Sequence, residues 1–184
     1  MTINKENTVL LVVDMQEKIL AAMSNKEQLI ENSERLIKAI NVLQLPIIST
    51  VQNKKGLGAT LPIISDILNS NSQHQEFEKF EFSCVSNENI LNALAELDKK
   101  NVIIIGIESH VCVQQTVLDL LDDGGFNPIV IADCISSRKE YDKKFALKAM
   151  RDFGAYITTY ESIIFELLKT AKSPLFKEIS KIVK

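Results

Sequence analysis

The 184 residues are enough for one domain with a single core, and one domain spanning residues 1–184 is expected. The 24 acidic residues slightly outnumber the 21 basic ones, and the absence of a basic cluster argues against a nucleic-acid partner. No apolar run approaches the ~20 residues of a membrane span, and the first residues do not form a signal peptide, so a cytoplasmic protein with reduced thiols is expected.

Short apolar runs alternate with helical patterns along the chain. The runs are apolar throughout, which is typical of strands buried on both faces. The predicted strands lie at residues 8–14, 46–51, 77–80, 102–107, 127–133 and 155–159. The predicted helices lie at 26–43, 88–97, from Ser109 to the Gly124-Gly125 stop, at 141–153, 162–168 and 174–183. Residues 52–75 carry glycines, a proline and a polar cluster, and they are expected to form a long irregular loop.

This alternation predicts an α/β fold, a three-layer α/β/α sandwich around a six-stranded parallel sheet of order 3-2-1-4-5-6. In that order strands 1 and 4 are neighbours at the switch point, where ligands bind beyond the carboxyl ends of the strands. Asp14 ends strand 1, and Cys112 follows strand 4. The topology therefore predicts that these two side chains converge.

Cys112 is a candidate nucleophile because it follows a strand-to-helix turn. If Ser109 caps the helix, Cys112 lies in the first turn, where free backbone N–H groups and the helix dipole favour a thiolate. A free cysteine is also often just a small buried side chain, so position alone leaves both interpretations open. Asp14 is better placed as its base than either histidine, because His74 lies in the polar loop and the His110 side chain would diverge from the thiol on a helix.

Three motifs carry a resemblance over nearly the whole chain. They are Asp14-Met15-Gln16 after the first strand, Lys79 before Phe82-Ser83, and the Gly-Ile-Glu-Ser-His-Val-Cys-Val run at 106–113. Together they resemble the isochorismatase-like hydrolases of the cysteine hydrolase superfamily, in a poorly characterised branch.

The resemblance implies a catalytic triad of Cys112 as nucleophile, Asp14 as base and Lys79 as a cation that lowers the thiol pKa. It also implies a non-proline cis peptide at Ile107–Glu108. The backbone N–H groups of Glu108 and Cys112 would then form an oxyanion hole.

Two departures from other family members narrow the chemistry. The Asp-x-His pair that metal-dependent nicotinamidases carry after strand 2 is replaced by Gln52-Asn53-Lys54-Lys55, so neither a catalytic metal nor another cofactor is expected. Isochorismatases proper lack the cysteine, so Cys112 argues against that activity. Side chains expected to line the substrate pocket are Gln16, Gln52, Leu57 and Ser109.

The sequence thus predicts a metal-independent cysteine hydrolase that cleaves a C–N bond of a small amide-like molecule. The alternatives are a thiol-dependent enzyme of another reaction type and a catalytically silent binding or scaffold protein. The expected partners are a small-molecule substrate and further copies of the chain, in at least a homodimer, but no nucleic acid or membrane. Apolar residues in the 163–168 tail favour assembly.

Overall fold

The computed structural model describes residues 2–184 and has a six-stranded, all-parallel sheet at its centre. The strand order is β3-β2-β1-β4-β5-β6, which confirms the predicted fold class and topology. The strands are β1 (Thr8–Val13), β2 (Ile47–Gln52), β3 (His74–Lys79), β4 (Asn101–Ile107), β5 (Asn127–Ser136) and β6 (Tyr156–Thr158).

Helices cover both faces of this sheet, so its central strands are buried on both sides. Every residue of β1 and β4 is buried, and alternate side chains enter two separate hydrophobic clusters. The helices are α1 (Glu17–Leu20), α2 (Lys26–Leu43), α3 (Lys54–Leu57), α4 (Pro62–Asn69), α5 (Glu88–Glu96), α6 (Gln114–Asp123), α7 (Glu140–Asp152), α8 (Tyr160–Leu168) and α9 (Phe176–Ile182). Helices α2, α4, α8 and α9 pack on one face, and α5, α6 and α7 pack on the other. Within residues 2–184, no helix combines the length and apolarity that a membrane crossing requires.

Residues 52–75 are more regular than the sequence indicates. They contain the single turn α3 and the helix α4, which begins at Pro62 and buries Ile64 and Leu68, one helical turn apart. Strand β3 also begins at His74, three residues before the predicted start. The predicted irregular loop is wrong because α4 is only eight residues long and lies beside glycines and a polar cluster that are typical of loops, and because β3 is a mostly polar edge strand.

The ends of β1 and β4 approach each other closely at Gly106. Its backbone has φ +115°, and a Cβ built there would lie only 2.0 Å from the carbonyl oxygen of Val13. Val13 and Gly106 are register partners in the two strands. Glycine therefore lets β1 and β4 run side by side up to the residues that follow them, Asp14 and the turn carrying Cys112.

Candidate active site

Asp14 follows β1 directly and is almost completely buried. Its backbone has φ +50°, and its N–H donates to the carbonyl oxygen of Thr50. Both carboxylate oxygens have partners: Oδ1 accepts from Thr50 Oγ1 and Oδ2 from Lys79 Nζ, each at 2.7 Å. These contacts hold the carboxylate in one orientation at the carboxyl edge of the sheet.

Lys79 ends β3 and is fully buried. Its ammonium donates to Asp14 Oδ2 and Gln52 Oε1 at 2.7 Å, and to the carbonyl oxygens of Glu81 and Phe82 at 3.2 Å. Burial acts to lower the pKa of Lys79, but Cys84, Asp14 and Cys112 outweigh it and the pKa is raised. Lys79 is therefore a permanent buried cation.

Cys112 lies in a single π-helical turn, Ser109–Val113, which we call the nucleophile turn and which precedes α6. Ser109 makes no capping hydrogen bond, and its hydroxyl is buried without a partner, so the predicted cap is wrong. A wide turn takes the place of the first turn of a regular helix. π-Helical turns of this kind are frequent at functional sites.

The resting state of Cys112 is a neutral thiol. Burial raises its pKa to about 12, and the negative charge of Asp14 adds to this, while Lys79 acts in the opposite direction. The predicted net lowering of the thiol pKa is therefore wrong. The side chain of Lys79 does lower the pKa, but its charge is already balanced by Asp14 at 2.7 Å, whereas desolvation of the thiol is not balanced.

Asp14 and Cys112 border the same cavity of about 250 Å³. The other polar side chains around it are Gln52 and Glu108, and the apolar ones are Ile19, Leu57, Phe82, Ile107 and Val111. The predicted pocket residues Gln52 and Leu57 thus line the cavity.

Gln16 and Ser109, which were also predicted to line the pocket, do not. Both are fully buried. The Gln16 amide instead bonds the backbone of Gln52 and the carbonyl oxygen of Gly58, which ties the chain around α3 to the end of β1.

The nucleophile turn and the residue before it are joined to the segment after β5 by two side-chain contacts that the sequence did not predict. Glu108 Oε2 accepts from the backbone N–H and Nε of Arg138 at 3.2 and 3.1 Å. His110 Nδ1 lies 2.9 Å from Ser137 Oγ. The adjacent Ile107–Glu108 peptide is cis, at the bond to which the resemblance assigned it. Only the polar run Ser136-Ser137-Arg138 after a buried strand could have indicated these contacts.

No group of three His, Cys, Asp or Glu side chains in residues 2–184 is arranged to hold a metal ion. The three cysteines are free and buried. Burial raises the pKa of Cys84 to about 11, and the nearby charge of Lys79 acts in the opposite direction.

Known proteins resemble this chain in sequence and in structure. The family described as "Isochorismatase domain" matches residues 8–162. Isochorismatase domain-containing protein 2 of Xenopus laevis is 36% identical over 182 residues, which are 98% of this chain and 85% of that protein. The MAR1 ribonuclease of Caenorhabditis elegans superposes with a TM-score of 0.90 at 39% identity, covering 100% of this chain and 92% of its own.

A more distant neighbour shares the fold alone. The YcaC gene product of Escherichia coli, described as an octameric hydrolase of unknown specificity, superposes with a TM-score of 0.90 at 21% identity, covering 99% of this chain and 89% of that one. The family match and the two relatives at 36% and 39% identity are similar to this chain in sequence as well as in fold. The chain therefore belongs to the isochorismatase domain family.

Proposed function

We propose that the protein is a metal-independent cysteine hydrolase that cleaves a C–N bond of a small carbonyl compound. The observation that carries the proposal is the placement of Asp14 and Cys112 on one cavity, with Lys79 bonded to Asp14 at 2.7 Å. A nucleophile, a base and a group that fixes the base are the parts that covalent catalysis needs.

The reaction begins from the neutral thiol. As a substrate carbonyl enters the cavity, Asp14 takes the proton from Cys112 Sγ, and the sulfur attacks the carbonyl carbon. The backbone N–H groups of Glu108 and Cys112 receive the oxyanion of the tetrahedral intermediate. Asp14 then protonates the leaving nitrogen, the C–N bond breaks, and an acyl-thioester on Cys112 and a free amine result.

Hydrolysis of the acyl-enzyme repeats these steps with water. Asp14 accepts a proton from the water, and the water oxygen attacks the thioester carbonyl. Asp14 then returns that proton to the sulfur as the C–S bond breaks. The products are a carboxylic acid and the free Cys112 thiol. Lys79 keeps its charge throughout, because four acceptors surround its three N–H bonds. It acts as a positioning cation that holds the Asp14 carboxylate in place and favours the transient thiolate.

The raised pKa of Cys112 supports the need for a base in this scheme. With a thiol pKa of about 12, only a negligible fraction of Cys112 is thiolate near neutral pH. Asp14 must therefore remove the proton during the reaction and not before it.

The name of the worm relative raises RNA cleavage as a second candidate. The formal net charge of −3 gives little attraction for a polyanion, and Lys79 has no N–H left for a phosphate. We expect no RNA cleavage that depends on Cys112. Incubation of wild-type protein and a Cys112→Ser variant with labelled RNA tests this. RNA cleavage by the wild-type protein that is absent in the variant would favour a ribonuclease activity.

The experiment for the hydrolase is a screen of small amides with intact-mass detection of the acyl-enzyme. We expect amine release and a mass increase on the peptide that contains Cys112. Both should disappear in Cys112→Ser and persist in Cys134→Ser, a fully buried thiol elsewhere in the fold. Turnover that survives Cys112→Ser would refute the mechanism, and a complete absence of adducts would favour the binding or scaffold protein.

A further inference from the structure

The cavity at Cys112 is mainly apolar. Five of its lining side chains are hydrocarbon or aromatic, and its two charged members, Asp14 and Glu108, are both acidic. No lysine, arginine or histidine of residues 2–184 is among the lining residues. A substrate group other than the reacting carbonyl therefore meets apolar walls, a carboxylate or the amide of Gln52. That amide is already bonded to Lys79 and to the carbonyl oxygen of Phe80.

Two cations bond to residues of this lining without being lining residues themselves. The ammonium of Lys79 is fully buried and surrounded by four protein acceptors. Arg138 is bonded to Glu108 Oε2, and 62% of its side chain is exposed to solvent outside the lining. An anionic substrate group would lose its hydration on entry and gain no cationic partner.

The volume limits the size of the substrate group that the cavity encloses. At about 30 Å³ for each water-sized volume, the 250 Å³ cavity holds roughly eight non-hydrogen atoms. This is below the range of typical drug-sized pockets, about 300–1,000 Å³.

We infer that the substrate is a small uncharged amide whose acyl group is apolar, with a carbonyl and a hydrocarbon part of roughly eight non-hydrogen atoms in all, and that carboxylate-bearing analogues are rejected. This inference rests on the proposed function, because it assigns the carbonyl to Cys112. It adds to that function the statement that the site binds neutral acyl compounds and rejects anionic ones.

Two aldehydes of equal size test the inference without knowledge of the leaving group. 4-Methylpentanal ends in an isopropyl group, and 4-oxobutanoate carries a carboxylate of the same shape in its place. Each adds reversibly to a thiol, with the sulfur bonding to the aldehyde carbon and the thiol proton passing to the oxygen. Carbon-13 at the aldehyde position reports the thiohemiacetal by NMR, and titration gives its dissociation constant.

We expect 4-methylpentanal to bind more tightly than 4-oxobutanoate by on the order of 10²-fold, the discrimination that an apolar pocket makes against a hydroxyl-bearing isostere. The adduct signal must vanish in Cys112→Ser. Equal affinities, or tighter binding of 4-oxobutanoate, would overturn the inference and leave the hydrolase proposal intact. No adduct with either aldehyde would overturn the proposed function, and the inference with it.

A second variant adds a positive charge to the wall of the cavity. Leu57 is partly exposed and lines the cavity, so Leu57→Arg places a guanidinium there without emptying the core. We expect Leu57→Arg to reduce the ratio of the dissociation constants of 4-oxobutanoate and 4-methylpentanal by about tenfold. A hydrogen bond to a charged group is strong enough for such a change. Leu57→Gln is the uncharged control and should keep the wild-type ratio. An unchanged ratio in Leu57→Arg, with both aldehydes still bound, would contradict this account of the wall.

Discussion

The ion pair of Asp14 and Lys79 is shielded from solvent on both sides, so neither partner is stable there alone. Replacement of Lys79 with methionine leaves the Asp14 charge buried and unpaired. We expect Lys79→Met to lower the free energy of unfolding by about 3–5 kcal/mol, the usual cost of removing one member of a buried pair. Urea denaturation followed by circular dichroism measures it.

Two comparisons make this stability prediction specific. Lys148→Met removes a lysine whose side chain is 70% exposed and bonded to Asp152, and it should cost less than about 0.5 kcal/mol. Adding Asp14→Asn to Lys79→Met removes the orphaned charge and should recover part of the loss, because asparagine tolerates the positive φ of this position. Equal costs for the two lysine variants would contradict the role of the buried pair.

The thiol of Cys112 should react with alkylating agents in proportion to its small thiolate fraction. Because its pKa is about 12, the rate of labelling by iodoacetamide should rise about tenfold per pH unit from pH 6 to 9, without a plateau. Mass spectrometry of the Cys112 peptide at short times gives the rates. A plateau near neutral pH would show an activated thiolate instead.

Asp14→Asn separates the charge of Asp14 from its role as a base. The substitution removes the anion that raises the thiol pKa and leaves Lys79 unbalanced, so alkylation of Cys112 should become faster while turnover is lost. Asp66→Asn, at an exposed carboxylate on α4, should change neither rate. Slower alkylation in Asp14→Asn would mean that the variant disturbs the site in some other way.

At the scale of single residues, position in the fold was easier to predict than environment. Asp14 and Cys112 could be placed because parallel strands bring their carboxyl ends to one edge. Lys79 could be assigned only through the resemblance, because it ends a strand whose preceding residues are mostly exposed. The direction of the thiol pKa shift was missed because it depends on burial, which the motif does not encode.

At the scale of elements, the turn chemistry was the least predictable part. Serine is a common helix cap, but the chain forms a π-helical turn at Ser109. The side chains of Glu108 and His110 contact residues that follow β5. These contacts join residues 27 to 30 positions apart in the chain. Spacing within one motif cannot reveal them. Helix α4 was missed because it is only eight residues long and lies in a stretch whose glycines, proline and polar cluster are typical of a loop.

The close approach of β1 and β4 gives an element-scale prediction. Gly106→Ala brings a methyl group to within 2.0 Å of the Val13 carbonyl oxygen, at a backbone conformation that alanine disfavours. Overpacking and backbone strain each cost about 1–3 kcal/mol, so we expect a loss of about 2–6 kcal/mol and a displaced Cys112.

Gly124→Ala is the matched control for this change. Gly124 also has a positive φ, at +70°, but a Cβ there meets nothing within 4 Å. Only the backbone preference is lost, at about 1–2 kcal/mol. Thermal and urea unfolding compare the two variants, and similar costs would show that the contact with Val13 is easily relaxed.

At the scale of the whole molecule, the fold was predictable because the central strands β1 and β4 are apolar after their first residue. A strand buried on both faces must lie inside a sheet covered by helices, and the alternation of strands and helices then restricts the sheet to parallel topologies. The surface is different, because a sequence pattern does not show which apolar residues remain uncovered.

The tail illustrates that limit. Ile163, Ile164, Leu167 and Leu168 of α8 are buried in the cluster that includes α2, so they do not provide the free apolar surface that the sequence indicated. Of this tail only Phe165 is exposed, at 37%. The other large exposed apolar side chains lie elsewhere, and two of them are adjacent. Tyr141 and Phe145, one turn apart on α7, are 68% and 52% exposed, with ring centroids 4.6 Å apart.

We therefore expect a homo-oligomer in which the Tyr141–Phe145 pair is covered by another copy of the chain. Aromatic pairs of this kind are enriched at subunit contacts because they bury a large area at little conformational cost. Light scattering at micromolar concentration should give a mass that is a multiple of 20.6 kDa. A double variant, Tyr141→Lys with Phe145→Lys, should reduce that mass, whereas Phe165→Lys on α8 should not. A wild-type mass of 20.6 kDa would refute the assembly, and an unchanged oligomer in the double variant would move the contact to another surface.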